Sequence, residues 1–138
     1  MPDSLLDTDI LLYAISTDEA ESDKKRVARE LLARDDWGVC VQALQEFHVN
    51  ATRPGRAAMS HEDATAAIRH FLLRPLAHSD GALMLDALEI KARYRIPFWD
   101  AAVVAAGRRL GARVLYSEDL SDGQEYGGIR VVNPFNGG

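Results

Sequence analysis

Two aspartates interrupt an apolar run near the start of the chain. The stretch "SLLDTDILLYA", Ser4 to Ala14, carries Asp7 and Asp9 among leucines and an isoleucine. A carboxylate buried without a partner costs several kcal/mol or takes up a proton. These two acids therefore call for a helix end, a basic partner or a metal ion. Three further acids stand where they could join Asp7. Glu46 lies about a turn into the helical stretch "ALQEFHVNAT", Asp100 follows Pro97 at the head of "FWDAAVVAAGRRL", and Asp119 closes "VLYSED".

Two carboxylates about 5 Å apart repel by roughly 3 kcal/mol at an effective dielectric of about 20. Four at one site need compensation, and oxygen ligands suit a hard divalent cation, Mg²⁺ or Mn²⁺. Zinc prefers histidine and cysteine, and their spacing here is wrong for it. "HED" at His61 lacks the HExxH repeat, and His48 is two residues from Glu46, which on a helix points it elsewhere. His70 and His78 have no partner at ligand spacing, and Cys40, alone in "WGVCV", reads as a core thiol. Taken singly, the acids have plainer readings. Asp100 suits a helix N-cap, Asp119 or Asp122 a turn, and Glu46 an exposed helix face. Asp7 resists such a reading because it breaks a strand-like run.

These acids are far apart in sequence, so the fold must gather them. "SLL" reads as a short buried strand, and the apolar run Ile10 to Ile15 leads into a helix. In "DKKRVARELLAR", Val27, Ala28, Leu31 and Leu32 fall on one helical face. "WGVCVQ" reads as a second strand, followed by a helix that stops before the turn signal "RPGR". Ser60 and Asp63 form a capping pair for "SHEDATAAIRHFLL". "RPLAHS" is a third, more polar strand, and "DGALMLDALEIKARY" is a long helix. Pro97 then breaks the chain before another helix that Gly111 ends. "ARVLYS" and "GIRVVNP" are strands, joined by the glycine-rich loop "DGQEYGG". Strands separated by helices imply a parallel sheet sandwiched between helices, an α/β fold whose ligands sit beyond the carboxyl ends of the strands. Asp7, Glu46 and Asp119 lie at or just past those ends.

The bulk of the chain agrees. Its 138 residues suit a single domain spanning 1–138, and 47% hydrophobic with 27% charged residues excludes a disordered segment. A net charge of -5 argues against a nucleic-acid coat protein but leaves a nuclease open, since acids that hold metal ions lower the total. Basic residues cluster at Lys24 to Arg29, at Arg53 and Arg56, at Lys91 to Arg95 and at Arg108 to Arg113, and read as solvated faces. No apolar run reaches the length of a membrane span, and no basic n-region precedes an apolar stretch. The expectation is a cytoplasmic protein with no membrane contact and, with its one cysteine, no internal disulfide.

Together, "LLDTDILLYA", "LQEFHVNATR", "IPFWDAAVVAAGRRLGARVLYSEDLSDG" and the terminal "GIRVVNPF" resemble PIN-domain ribonucleases of the VapC toxin group. The resemblance runs from the first strand to the last. It implies catalytic, metal-holding roles for Asp7, Glu46, Asp100 and Asp119, with Ser117 orienting a ligand or water. That family often begins with Asp-Thr-Asn; here Asp9 stands in place of the asparagine, and an acid cannot donate a hydrogen bond unless protonated. Asp9 and Asp122 are supporting candidates, as is Glu118 nearby. The resemblance further implies a single PIN-like domain and Mg²⁺- or Mn²⁺-dependent endoribonuclease activity on structured RNA such as tRNA or rRNA. A homodimer and a VapB-like antitoxin partner follow from it too. Arg53 and Arg95 are candidates to hold the RNA backbone. Two other readings compete. One is a PIN-fold module that binds RNA or protein without catalysis. The other is a haloacid-dehalogenase-like phosphohydrolase, suggested by Asp-x-Asp at Asp7 and Asp9; Leu11 stands where that family wants Thr or Val.

Overall fold

The sheet starts from its middle strand. In the computed structural model, which describes residues 1–54 and 59–136, β1 is Ser4–Leu6 and all three residues are buried. Leu5 and Leu6 point to opposite faces, as neighbours on a strand must, and each enters a different apolar cluster. Helix α1 (Thr8–Ala14) follows at once, then a single 3₁₀ turn at Glu19–Glu21 and α2 (Ser22–Ala33). β2 (Trp37–Cys40) lies parallel to β1 with Gly38 opposite Leu5. Next come α3 (Val41–Ala51), α4 (His61–Phe71) and β3 (Leu76–Ala77), which pairs parallel to β2. α5 (Gly81–Tyr94) and α6 (Phe98–Arg109) lead to β4 (Val114–Tyr116), β5 (Glu125–Tyr126) and β6 (Ile129–Val132).

The strand order is β3-β2-β1-β4-β6-β5. The chain moves outward from β1 in both directions, so the crevice between β1 and β4 is the place where such sheets bind ligands. Helices cover both faces. Leu6, Ile10, Leu11, Val39, Phe47 and Phe71 pack on one side, beneath α1 to α4. Leu5, Val104, Leu115, Ile129 and Val131 pack on the other, beneath α5 and α6. Every residue of α6 from Ala101 to Gly107 is buried, so this helix is sunk into the core. A Cβ on Gly107 would lie 2.4 Å from Ile129 Cδ1, which is how α6 sits so close to the sheet. That closeness fixes where Asp100, in its first turn, is held.

Three local expectations are corrected. The sheet is not wholly parallel, because the supposed loop "DGQEYGG" contains β5, antiparallel to β6. Gly127 and Gly128 both take positive φ, 60° and 98°, the geometry of a two-residue hairpin turn. β2 ends at Cys40, and Val41 and Gln42 already belong to α3. The third strand shrinks to Leu76 and Ala77. The caps are as expected at Ser60, whose hydroxyl accepts the Asp63 N–H at 3.0 Å. Of the turn signal after α3, Arg53 and Pro54 are described, while Gly55 and Arg56 lie outside the described residues.

Candidate active site

Asp7 is the first residue beyond β1, and its backbone N–H extends the ladder by donating to Tyr116 O at 3.1 Å. Its side chain then turns to cap α1. Oδ1 accepts the Thr8 N–H at 2.8 Å, and Oδ2 accepts the Ser117 hydroxyl at 2.8 Å. The pairing of Leu6 with Tyr116 sets this meeting, since each is the last residue of its strand. Ser117 is fully buried, and its Oγ also accepts the Asp119 N–H at 3.1 Å. One hydroxyl thus ties the end of β1 to the loop after β4, which carries Asp119.

Asp9 sits in the first turn of α1. Its Oδ2 accepts the Glu118 N–H at 2.8 Å, while its Oδ1 is buried and has no hydrogen-bond partner. Carboxylate oxygens of Asp7, Asp9 and Asp119 lie within 4.8 Å of one another. Asp7 is buried and Asp119 is exposed, so the cluster opens from the core to solvent. Glu46 and Asp100 lie outside this closest group. Glu46 projects from α3, where Oε2 accepts the Thr8 hydroxyl at 2.9 Å and Oε1 accepts Gln42 Nε2 at 3.1 Å. Asp100 is half-buried in the first turn of α6, and Pro97, not Asp100, takes the N-cap position.

The electrostatics mark these groups as neighbours. Burial pushes the Asp7 carboxyl up to about 6 despite the Ser117 and Thr8 hydrogen bonds, with the charges of Asp119 and Glu46 adding to the rise. Burial first, then the Asp7 charge, pushes Asp9 up to about 7. Asp100 is raised by burial and by the charges of Asp119 and Glu46. An oxygen-only donor set, crowded and partly buried, with one oxygen lacking any donor, fits a hard divalent cation. Asp7 and Asp119 would hold it, with Glu46 and Asp100 beside them.

A pH dependence follows for the metal-free protein. An acid whose folded pKa lies above its unfolded value favours folding most at low pH, and the benefit is lost as pH rises through the folded value. For Asp7 the window runs from the unfolded value near 3.8 to about 6. For Asp9 it extends to about 7. The shift at Asp7 alone corresponds to about 3 kcal/mol. Urea unfolding in EDTA is expected to show stability falling between about pH 4 and pH 7 by at least an amount of this order. Added Mn²⁺ should reverse the fall at the upper end. Stability that climbs across that window, in EDTA, would mean these acids do not share a site.

The other candidates are placed differently. Asp122 accepts the Asn133 N–H at 2.9 Å and Asn136 Nδ2 at 3.4 Å, so it secures the segment after β6 and does not join the cluster. Glu118 serves through its backbone, because its carboxylate is taken by Lys24 at 2.5 Å. Arg53 is exposed just past α3, and Arg95 takes a left-handed conformation at the C-cap of α5. Neither contacts the acids among the described residues. Cys40 is buried in the core, and burial pushes its thiol up to about 12, as an inert thiol requires. Thr8, which binds Glu46, and Lys24, which binds Glu118, were not singled out from the sequence. The threonine between two acids in "DTD" was the available signal for the first. A groove of about 500 Å³ also runs along α1, with Asp9, Leu12, Ile15, Asp18, Glu21 and Asn50 among its walls.

The fold has counterparts among known proteins. No curated protein matches the chain in sequence. Solved structures do match it in shape. A toxin–antitoxin complex from Klebsiella pneumoniae superposes with a TM-score of 0.71 at 16% identity, covering 96% of this chain and 98% of that one. A VapC toxin of Mycobacterium tuberculosis, described as cleaving the Sarcin-Ricin loop, gives a TM-score of 0.66 at 23% identity over 84% of this chain and 89% of its own. DNA-bound VapBC from Salmonella typhimurium gives 0.67 at 17% identity, over 95% and 97%. At these identities the likeness establishes the fold. The family model for the PIN domain matches residues 4–121, which contain all of the acids gathered here and leave the haloacid-dehalogenase reading without support. The chain belongs to the PIN domain family.

Proposed function

We propose that this PIN domain is a metal-dependent endoribonuclease, the toxin of a VapBC-type toxin–antitoxin pair, hydrolysing phosphodiesters in structured RNA such as tRNA or rRNA. The observation that carries the reading is the convergence of Asp7, Asp9 and Asp119 within 4.8 Å at the switch point of the sheet. Structures of the same fold, one described as a toxin–antitoxin complex and another as a Sarcin-Ricin-loop-cleaving toxin, support it.

Asp7, Glu46, Asp100 and Asp119 are the proposed catalytic acids. Bound among them, Mg²⁺ or Mn²⁺ supplies an activated water and offsets charge on the phosphodiester under attack. The chain's own work is placement. The Thr8 amide and the Ser117 hydroxyl fix both oxygens of Asp7. The Thr8 hydroxyl and Gln42 fix Glu46, and Ser117 orients the loop that carries Asp119. No serine or histidine nucleophile is needed. Arg53 and Arg95 are proposed to hold the RNA backbone by charge. A homodimer is proposed, and the exposure of Met84, Leu85 and Leu88 on α5 and of Trp99 on α6 supports it. No helix among the described residues is long and apolar enough to cross a membrane. An RNA substrate and a VapB-like partner would put the work in the cytoplasm.

The test is cleavage of a structured RNA by the purified protein in Mn²⁺ or Mg²⁺, abolished by EDTA. RNA binding without cleavage would instead mark a silent module.

A further inference from the structure

We infer that Asp9 is itself a ligand of the divalent cation in this chain, an anionic member of the cluster and not a hydrogen-bonding bystander. The inference rests on the metal-dependent reading above. It goes further, because the residue pattern that this chain resembles places an asparagine at this position.

The two oxygens of Asp9 are treated differently by the fold. Oδ2 is anchored by the Glu118 N–H at 2.8 Å. Oδ1 is buried and has no partner, although the same carboxylate contributes to the group within 4.8 Å of Asp7 and Asp119. An acceptor left without a donor in the interior is costly, and a charged one more so. No basic side chain forms an ion pair with Asp9 among the described residues. The nearby Lys24 is spent on Glu118, at 2.5 Å, and also reaches the Tyr13 hydroxyl at 3.2 Å. That ion pair steadies Glu118, whose amide holds Oδ2. A shared cation would give Oδ1 the positive partner that the protein itself does not supply.

The distances suit this. Ligands about 2.1 Å from one Mg²⁺ are up to about 4.2 Å apart across the coordination sphere. Oxygens already within 4.8 Å of one another have to close toward about 3 Å for neighbouring positions, and about 4.2 Å for opposite ones, to share one ion. An asparagine amide at this place would donate to its carboxylate neighbours and lower their repulsion. An aspartate adds to that repulsion and returns the cost only when a cation is present.

The experiment is Mn²⁺ binding by calorimetry, with free Mn²⁺ followed by its electron paramagnetic resonance signal, on the wild type and on Asp9→Asn. Melting temperatures in EDTA are measured alongside. The expected result is Mn²⁺ affinity reduced about tenfold or more in the variant, with a metal-free melting temperature equal to or above that of the wild type. Asp9→Ser serves as the second variant and should show the same loss. Wild-type affinity in both variants overturns the inference while leaving the nuclease reading intact. So does a loss of stability in EDTA with unchanged Mn²⁺ affinity, which marks a structural role. A wild-type protein that binds no Mn²⁺ overturns both readings together.

Discussion

Asp7→Asn is expected to lower RNA cleavage by about a hundredfold or more, in saturating Mn²⁺, while the protein stays folded. The fold survives because the amide oxygen of asparagine can still accept the Thr8 N–H and cap α1. The Ser117 hydroxyl can turn to accept from the new amide nitrogen, since a hydroxyl both donates and accepts. What is lost is the negative charge at the closed end of the cluster. Asp100→Asn should act similarly, because this side chain is half-buried beside Asp119 and Glu46 and caps nothing. Extra Mn²⁺ should rescue either variant only in part. Removing a buried acid also removes its cost, so both metal-free variants should melt at or above the wild-type temperature. Cleavage rates at several Mn²⁺ concentrations, with melting in EDTA, check the pair. Wild-type cleavage by Asp7→Asn in saturating metal would show that the site has been wrongly assigned.

How far the sequence discloses this site differs from residue to residue. Asp7 is legible because an acid that interrupts a buried strand demands a partner. Ser117 and Asp119 are legible because polar residues end a strongly apolar strand. Glu46 and Asp100 follow from the order of elements, but their separation from Asp7 does not. For Asp100 that depends on how deeply α6 sinks against the sheet, which Gly107 permits through contact with Ile129 from a distant strand. Asp9 shows the limit most clearly, for its type is visible in the sequence while the orphaned Oδ1 is visible only once Glu118 is brought to it from 109 residues away. Asp122 looked like a further acid of the site because its partners, Asn133 and Asn136, lie beyond the local window. Lys24 read as part of a solvated basic face because nothing local shows Glu118, 94 residues on. In the fold, the alternation of helices and strands disclosed the sandwich. β5 is hidden in the sequence because two residues are too short for an alternating pattern, and the Gly127-Gly128 pair beside it has the composition of a loop.

On the proposed toxin reading, binding of a VapB-like antitoxin is expected to weaken Mn²⁺ affinity by about tenfold or more and to stop cleavage. A pocket of crowded acids that suits a dication also suits a guanidinium, whose planar fork can make two hydrogen bonds to one carboxylate. The surface beside it fits an arm that carries such a group. The groove along α1 is lined by the apolar Leu12, Ile15 and Ala51 and by the acidic Asp9, Asp18 and Glu21. An amphipathic basic segment laid there would bury its apolar side chains and bring an arginine toward Asp7, Glu46, Asp100 or Asp119. Cation and arginine would then compete for the same oxygens, so inhibition and metal binding would exclude each other. The apolar contacts would carry assembly and the arginine occlusion, so the two should separate on mutation. An Arg→Ala change in the arm should restore cleavage more than it weakens the complex, read by RNA cleavage and by calorimetry on the same preparation. A complex that binds Mn²⁺ as tightly as the free protein would exclude occlusion by a basic side chain. Silencing would then have to come from an arm that blocks the RNA while leaving the acids open to metal.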